Sequence, residues 1–250
     1  TQPEDVPKAP TQKQLKGVLQ RVQAATLRIA IVEMPPKPYR QDPTVHFGHA
    51  VWIERPDKPG EAVLVSTLNW LADAEEVYIV PPDAAPDDDS DPDWRQVRKR
   101  TLQSVTAGAS GREWLENNED DLVEVALTHR DEHRNLVTLS VDNPSAIHSG
   151  HLSIFDYENR GLFHAYGYSP YFGGALVQTT LAPNHPEKVA LSFFLQTSFP
   201  AALGAPIVSS RGTLVTITAF RHPDQDGTTL AIPTNAIETY LAPESGGEEK

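Results

Sequence analysis

Phe199-Pro-Ala-Ala-Leu-Gly-Ala-Pro-Ile-Val208 is the stretch on which the reading of this chain turns. Two prolines bracket a run of small and apolar residues, Gly204 sits where a tight turn needs it, and Ile207-Val208 opens a β-branched segment. Two earlier stretches are built alike. Val63-Leu-Val-Ser-Thr-Leu-Asn-Trp-Leu71 is a strand running into a turn, and Asp121-Leu-Val-Glu-Val-Ala-Leu127 is a strand led by an aspartate. Short strands entered and left through turns predict an all-β chain.

Composition agrees. The chain has 250 residues, 22 of them proline and 15 glycine, which suits many short strands better than long helices. No cysteine is present, so disulfides, thiolate chemistry and cysteine-based zinc sites are excluded. A net charge of −13 argues against nucleic acid, because phosphate binding needs clustered Lys and Arg. The densest basic run, 95–100, directly follows the acidic 87–93, and the two are read as a solvated, self-neutralising loop. No stretch reaches the ~18 apolar residues of a membrane span, and no signal peptide is recognised. The polar, proline-containing start is of the kind left by removal of a leader or lipid anchor.

Along the chain, 1–10 reads as a disordered lead-in. Leu15, Val18, Leu19 and Val22 then share one face of a helix over 12–24, with Thr11 as N-cap. Strands are expected at 25–32, 48–53, 61–66, 76–80, 96–105, 122–128 and 136–141, with turn chemistry at 55–60 and 131–134. The stretch 81–93 is expected to be an exposed acidic insertion. The boundary between two halves falls within 142–150. Further strands are expected at 162–167, 174–180, 188–194, 206–208 and 214–220. A closing strand then leads into a helix ending at Leu241, capped by Thr234 or Asn235. An acidic tail, 242–250, completes the chain.

The three opening stretches, in their order, resemble the catalytic stretches of a trypsin-like serine protease of the HtrA type. Ala165-Tyr-Gly-Tyr-Ser-Pro170 resembles the family's G-Y-P turn, and 230–241 its closing A-I-P-S-N-A-V segment. The resemblance covers about 12–241. It implies two six-stranded antiparallel β-barrels with short helices at either end, the first over 11–142 and the second over 143–241. Against the family's P-G-N-S-G-G-P-L-V, Leu203 takes the place of the serine, and Trp70 that of the histidine. Only Asp121 matches. Ala201 and Ala205 replace glycines of the oxyanion loop, Ala202 its asparagine, and Gly204 remains.

The resemblance therefore implies a pseudoprotease. A serine hydroxyl attacks only when an imidazole takes its proton and a carboxylate fixes that imidazole. Indole offers a donor N–H and no base, and leucine has no nucleophilic atom. Trp70 and Leu203 are expected to face each other and plug the former cleft, with the indole N–H directed to an acceptor such as Asp121. The aromatic stretch holding Tyr166, Tyr168, Tyr171 and Phe172 is either core packing or, where exposed, a partner surface. Histidines come in close pairs: His46 and His49, His129 and His133, His148 and His151. The last is the first choice for a metal, although no metal or other cofactor is expected.

The expected function is a protein-binding or scaffolding subunit of a larger assembly in the bacterial envelope or periplasm, compatible with association with a membrane complex. The alternatives are a hydrolase with relocated catalytic residues, or a histidine-based metal-binding protein.

Overall fold

A computed structural model describes residues 9–33, 44–72, 74, 76–80, 122–147, 149–155, 164–169, 174–183, 194–198, 203–223 and 228–242. Helix α1 spans Gln12–Ala25, as the spacing of its apolar residues predicts. Thr11 caps it through a capping box with Gln14, so two of the helix's orphan N-terminal donors are satisfied reciprocally. The chain then passes directly into β1 (Thr26–Glu33), β2 (Thr44–Arg55) and β3 (Lys58–Thr67). The β2–β3 hairpin is tighter than expected, because Lys58, Pro59 and Gly60 belong to the strand and not to the turn. Arg55 closes it by donating two hydrogen bonds to the Asp57 carboxylate, both at 3.0 Å.

A single 3-10 turn, Leu68–Trp70, follows β3, and the first sheet is completed by β4 (Glu76–Val80), β5 (Val123–Glu124), β6 (Ala126–Asp131) and β7 (Leu136–Ser140). A short helix α2 (Pro144–Ile147) precedes the second sheet. That sheet contains β8 (Ala165–Ser169), β9 (Ala175–Thr179), β10 (Leu181–Pro183), β11 (Leu195–Thr197), β12 (Pro206–Ser209), β13 (Leu214–Arg221) and β14 (Thr229–Pro233). Helix α3 (Thr234–Leu241) ends the described chain.

Each sheet has seven antiparallel strands where six were expected. The strand order explains the difference. In the first sheet the two edges are β5 and β6, which are separated along the chain only by Val125. In the second the edges are β10 and β9, separated only by Thr180. One bent strand in each sheet therefore pairs with both ends, curling the sheet into a six-strand barrel and removing the open edges that invite aggregation.

The apolar alternation of β2 and β3 serves two cores at once. Ala50, Trp52 and Leu64 point into the first barrel beside Ile29, Ile31, Leu139 and Trp70. Val51, Ile53 and Val65 point the other way, into a cluster shared with α1, the second barrel and α3. A strand buried on both faces reads as a nearly continuous apolar run. Residues 149–155 bind the two barrels along this seam: Leu152 exchanges backbone hydrogen bonds with β2, and Ser153 and Phe155 do so with Leu214 of β13.

Helix α3 crosses back to the first barrel. The Tyr240 hydroxyl donates to the His129 carbonyl at 2.8 Å and lies 2.6 Å from the Thr138 hydroxyl, while its ring stacks on His129. Tyr240→Phe would leave these two half-buried partners without the phenol. Its expected cost is about 1–2 kcal/mol, read as a lower denaturant midpoint at unchanged slope. The expected helix cap differs from the observed one. Pro233 is the N-cap and carries no capping side chain, because the Thr234 hydroxyl instead donates to the Val215 carbonyl of β13.

Candidate functional site

The turn after β3 and the loop before β12 meet at the mouth of the first barrel. Three hydrogen bonds fix the turn. The Asn69 N–H donates to Asn135 Oδ1 at 2.7 Å, Asn135 Nδ2 donates back to Asn69 Oδ1 at 2.9 Å, and Asn69 Nδ2 donates to the Ala219 carbonyl of the second barrel at 3.1 Å. Asn135 adopts a left-handed conformation (φ 57°), which asparagine tolerates better than most residues. The next residue, Trp70, is thereby held in place and buried.

The loop is fixed equally firmly. The Leu203 carbonyl accepts the His49 N–H at 2.7 Å, and the Gly204 N–H donates to the Thr218 carbonyl at 2.8 Å. Gly204 has φ +74°, and a Cβ there would stand 1.9 Å from the His49 carbonyl oxygen. Gly48 makes the opposing close approach: an added Cβ would lie 2.5 Å from Trp70 Cζ2 and 3.0 Å from the Leu203 carbonyl oxygen. The indole and the loop backbone thus close on the same bare stretch of β2.

What remains open is a pocket of about 130 Å³ lined by Ile31, Glu33, His46, Phe47, Asn69, Trp70 and Leu203. Positions 70 and 203, which the sequence resemblance aligns with base and nucleophile, both line this pocket. The Trp70 N–H is buried with no partner among the described residues, so the indole is held by packing and not by a hydrogen bond. Asp121, the acceptor expected for it, lies outside the described residues, as do Ala201 and Ala202.

No serine or threonine lines the pocket among the described residues. The nearby Ser66 hydroxyl is buried and donates to the His49 carbonyl at 2.7 Å, so its proton is committed to the backbone. The titratable groups in the pocket are Glu33 and His46, with Glu33 Oε2 and His46 Nε2 3.3 Å apart. The pair arises from the β1–β2 register. Ile31 stands opposite His46, which puts Glu33 on the diagonal, on the same inward face.

That register also corrects the expected pairing of His46 with His49. Residues three apart in a strand point to opposite faces. His46 faces the barrel mouth, whereas His49 is buried between the barrels with its ring edge-on to Tyr168 at 6.4 Å. Burial pushes the His49 imidazole down to about 3, and the Arg28 guanidinium, opposite it in register, pushes the same way. The Leu203 carbonyl opposes this weakly, since it already takes the His49 backbone N–H and the ring nitrogens make no hydrogen bond of good geometry among the described residues. His49 is therefore neutral at ordinary pH.

The other candidates divide as follows. His151 lies 4.0 Å from the Glu54 carboxylate, and its expected metal partner His148 is outside the described residues. No group of three or more metal-ligating side chains exists among the described residues. Tyr166 and Tyr168 of β8 are buried, with their hydroxyls pushed up by desolvation, Tyr168 to about 12. Of the two readings held for them, core packing is the one observed, and neither offers an exposed partner surface. Tyr171 and Phe172 lie outside the described residues. Glu33 was missed in the sequence, because only its cross-strand position gives it significance.

Two curled antiparallel barrels meeting at such a cleft define the chymotrypsin-like double-barrel fold. A solved structure described as the HtrA-type protease AlgWS227A with tripeptide has this fold. It superposes with a TM-score of 0.54 at 15% sequence identity, over 89% of this chain and 60% of the other. At that identity the likeness is one of fold, and this chain spans about three fifths of the length of that structure. No protein-family model and no curated protein matches the chain. No helix among the described residues is long and apolar enough to cross a membrane.

Proposed function

We propose that this chain is a pseudoprotease, a trypsin-like, HtrA-type double barrel without peptidase chemistry that serves as a protein-binding or scaffolding subunit. One observation supports the reading: Trp70 and Leu203, which the sequence resemblance aligns with base and nucleophile, line the same pocket. Neither can accept a proton from, or attack as, a nucleophile. The rigid backbone around them supports a scaffold, since both loops are pinned across the inter-barrel seam. The similar structure carries a tripeptide by its description. A pocket of about 130 Å³ in this chain is of a size to admit one side chain of a bound partner. The proposed setting is the bacterial envelope or periplasm.

The rival reading is a hydrolase with a relocated base, and the Glu33–His46 pair is the observation on its side. It lacks a hydroxyl among the described pocket residues. Two measurements separate the readings. The native chain is expected to resist labelling by a fluorophosphonate probe and to yield a reproducible, near-stoichiometric partner on mild crosslinking. Probe labelling at a serine, or turnover of a casein-type substrate abolished by His46→Gln, would install the hydrolase instead.

A further inference from the structure

On the scaffold reading, one feature of the barrel mouth is left without a role: a carboxylate set over an apolar floor. β1 and β2 bring Ile31, Glu33 and His46 to the inward face at the open end of the first barrel, and the pinned turn and loop add Trp70 and Leu203. The floor is Ile31, 1% exposed, with the indole of Trp70 and the half-buried Leu203 beside it. Glu33 is the one carboxylate among the described lining residues, and its side chain keeps 46% of its exposure, so a solute can reach it. His46 Nε2 faces Glu33 Oε2, and Oε1 has no partner among the described residues.

We infer that this pocket is a receptor for a primary ammonium on a short aliphatic stem, the end of a lysine side chain presented by a partner protein, with Glu33 as its counter-ion. The volume of about 130 Å³ holds a butyl stem and its charged tip. An aliphatic stem matches the Ile31 and Leu203 surfaces, and lysine naturally buries its methylenes while its charge stays near water. The Trp70 indole is among the lining groups, and indole is the strongest of the aromatic side chains at attracting cations. The Phe47 ring is not available in this way, because Arg28 already sits over it at 4.4 Å. A carboxylate or phosphate ligand is disfavoured by Glu33 itself and by a net charge of −13, which steers cations toward the chain. A carboxylate has lone pairs for more than one donor, so an ammonium can approach Glu33 beside His46, whose Nε2 lies 3.3 Å from Oε2.

The inference rests on reading the former cleft as a binding surface, and it specifies what that surface binds. Its test is a titration of the full chain with Nα-acetyl-lysine methylamide, with n-butylamine, and with the norleucine analogue, which keeps the stem and lacks the charge. The readout is nuclear magnetic resonance, following the Trp70 indole N–H (assigned from Trp70→Phe) and the Ile31 amide. Both amines are expected to shift these signals, with the norleucine analogue weaker by on the order of tenfold. Glu33→Gln is expected to bring the lysine analogue down to the norleucine level. Glu33 ends its strand and is half exposed, so this variant should fold, and an otherwise unchanged spectrum checks that it does. Butylamine matching the lysine analogue would still support the site and make free amines its ligands as well. Equal binding of lysine and norleucine analogues, undiminished binding by Glu33→Gln, or shifts confined to other residues would each overturn the inference. Peptide turnover, assayed separately, would overturn the scaffold reading while leaving this selectivity to its own result.

Discussion

Gly204→Ala is expected to destabilise the protein by roughly 3–5 kcal/mol, a large share of the ~5–15 kcal/mol that holds a typical domain folded. Two costs add. A left-handed φ of +74° disfavours any residue with a Cβ, by about 1–2 kcal/mol. The larger cost is steric. The new methyl would stand 1.9 Å from the His49 carbonyl oxygen and 2.8 Å from the Ser66 hydroxyl, and both belong to the first barrel. Relief requires the loop to retreat, which lengthens the 2.7 Å hydrogen bond from His49 N–H to Leu203 and the 2.8 Å one from Gly204 N–H to Thr218. The damage therefore concentrates at the inter-barrel seam. A denaturant melt reads the loss, and hydrogen exchange should place the earliest opening at the amides of His49 and Gly204. Near-native stability of the variant would mean that the loop is free to shift and that the close packing of 203–204 on β2 is not a fixed part of the fold.

That glycine is also where sequence and structure speak most directly to each other. Gly204 and Pro206 are legible as a retained turn, and the structure supplies the reason: the backbone of the first barrel lies where a side chain would go. Legible too were α1 with its Thr11 cap, and the β-branched runs that became β1, β3 and β13, because a strand's period is written in its own residues. The site was legible in part. Trp70 and Leu203 stood out by resemblance, and they do share a pocket. Asp121, Ala201 and Ala202 fall outside the described residues, so their part of that resemblance stays where the sequence left it.

What the sequence hid was anything fixed by pairing. Glu33 and His46 are thirteen positions apart, and only the offset of β1 against β2 makes them neighbours. His46 and His49 look like a ligand pair until strand parity sends them to opposite faces. The bends at Val125 and Thr180 that let one strand close each barrel carry no glycine or proline to announce them. Thr234 reads as a cap from its position at the start of α3, yet its hydroxyl is drawn away by a carbonyl of β13, a contact no local pattern encodes.

Acid is expected to weaken the protein through His49 above all. Its imidazole titrates near the ordinary 6.5 when unfolded and at about 3 when folded. Between those values the unfolded chain binds a proton that the folded chain refuses, so stability falls as pH falls. The slope is about 1.4 kcal/mol per pH unit, beginning below pH 6.5 and levelling off near pH 3, for a total on the order of 5 kcal/mol. Above pH 6.5 the histidine is neutral in both states and contributes no slope. The cause lies in its surroundings: the ring is buried at the seam against Tyr168, Arg28 stands opposite in register, and neither ring nitrogen makes a hydrogen bond of good geometry among the described residues, so the Leu203 carbonyl opposes the shift only weakly. A proton there would add a desolvated charge beside an existing cation. The protein's carboxylates also titrate toward the lower end of this range, so the informative quantity is the difference from a variant. His49→Leu keeps the backbone hydrogen bond to Leu203 and removes the titration. It is expected to equal or exceed the parent in stability at pH 7, since two unsatisfied ring nitrogens are gone. At pH 4.5 it should be the more stable of the two by about 2–3 kcal/mol. Urea midpoints at five pH values from 7.5 to 3.5 decide the matter. Parallel curves for parent and variant would mean that the folded histidine takes up its proton as readily as the unfolded one, and that water or movement at the seam reaches it.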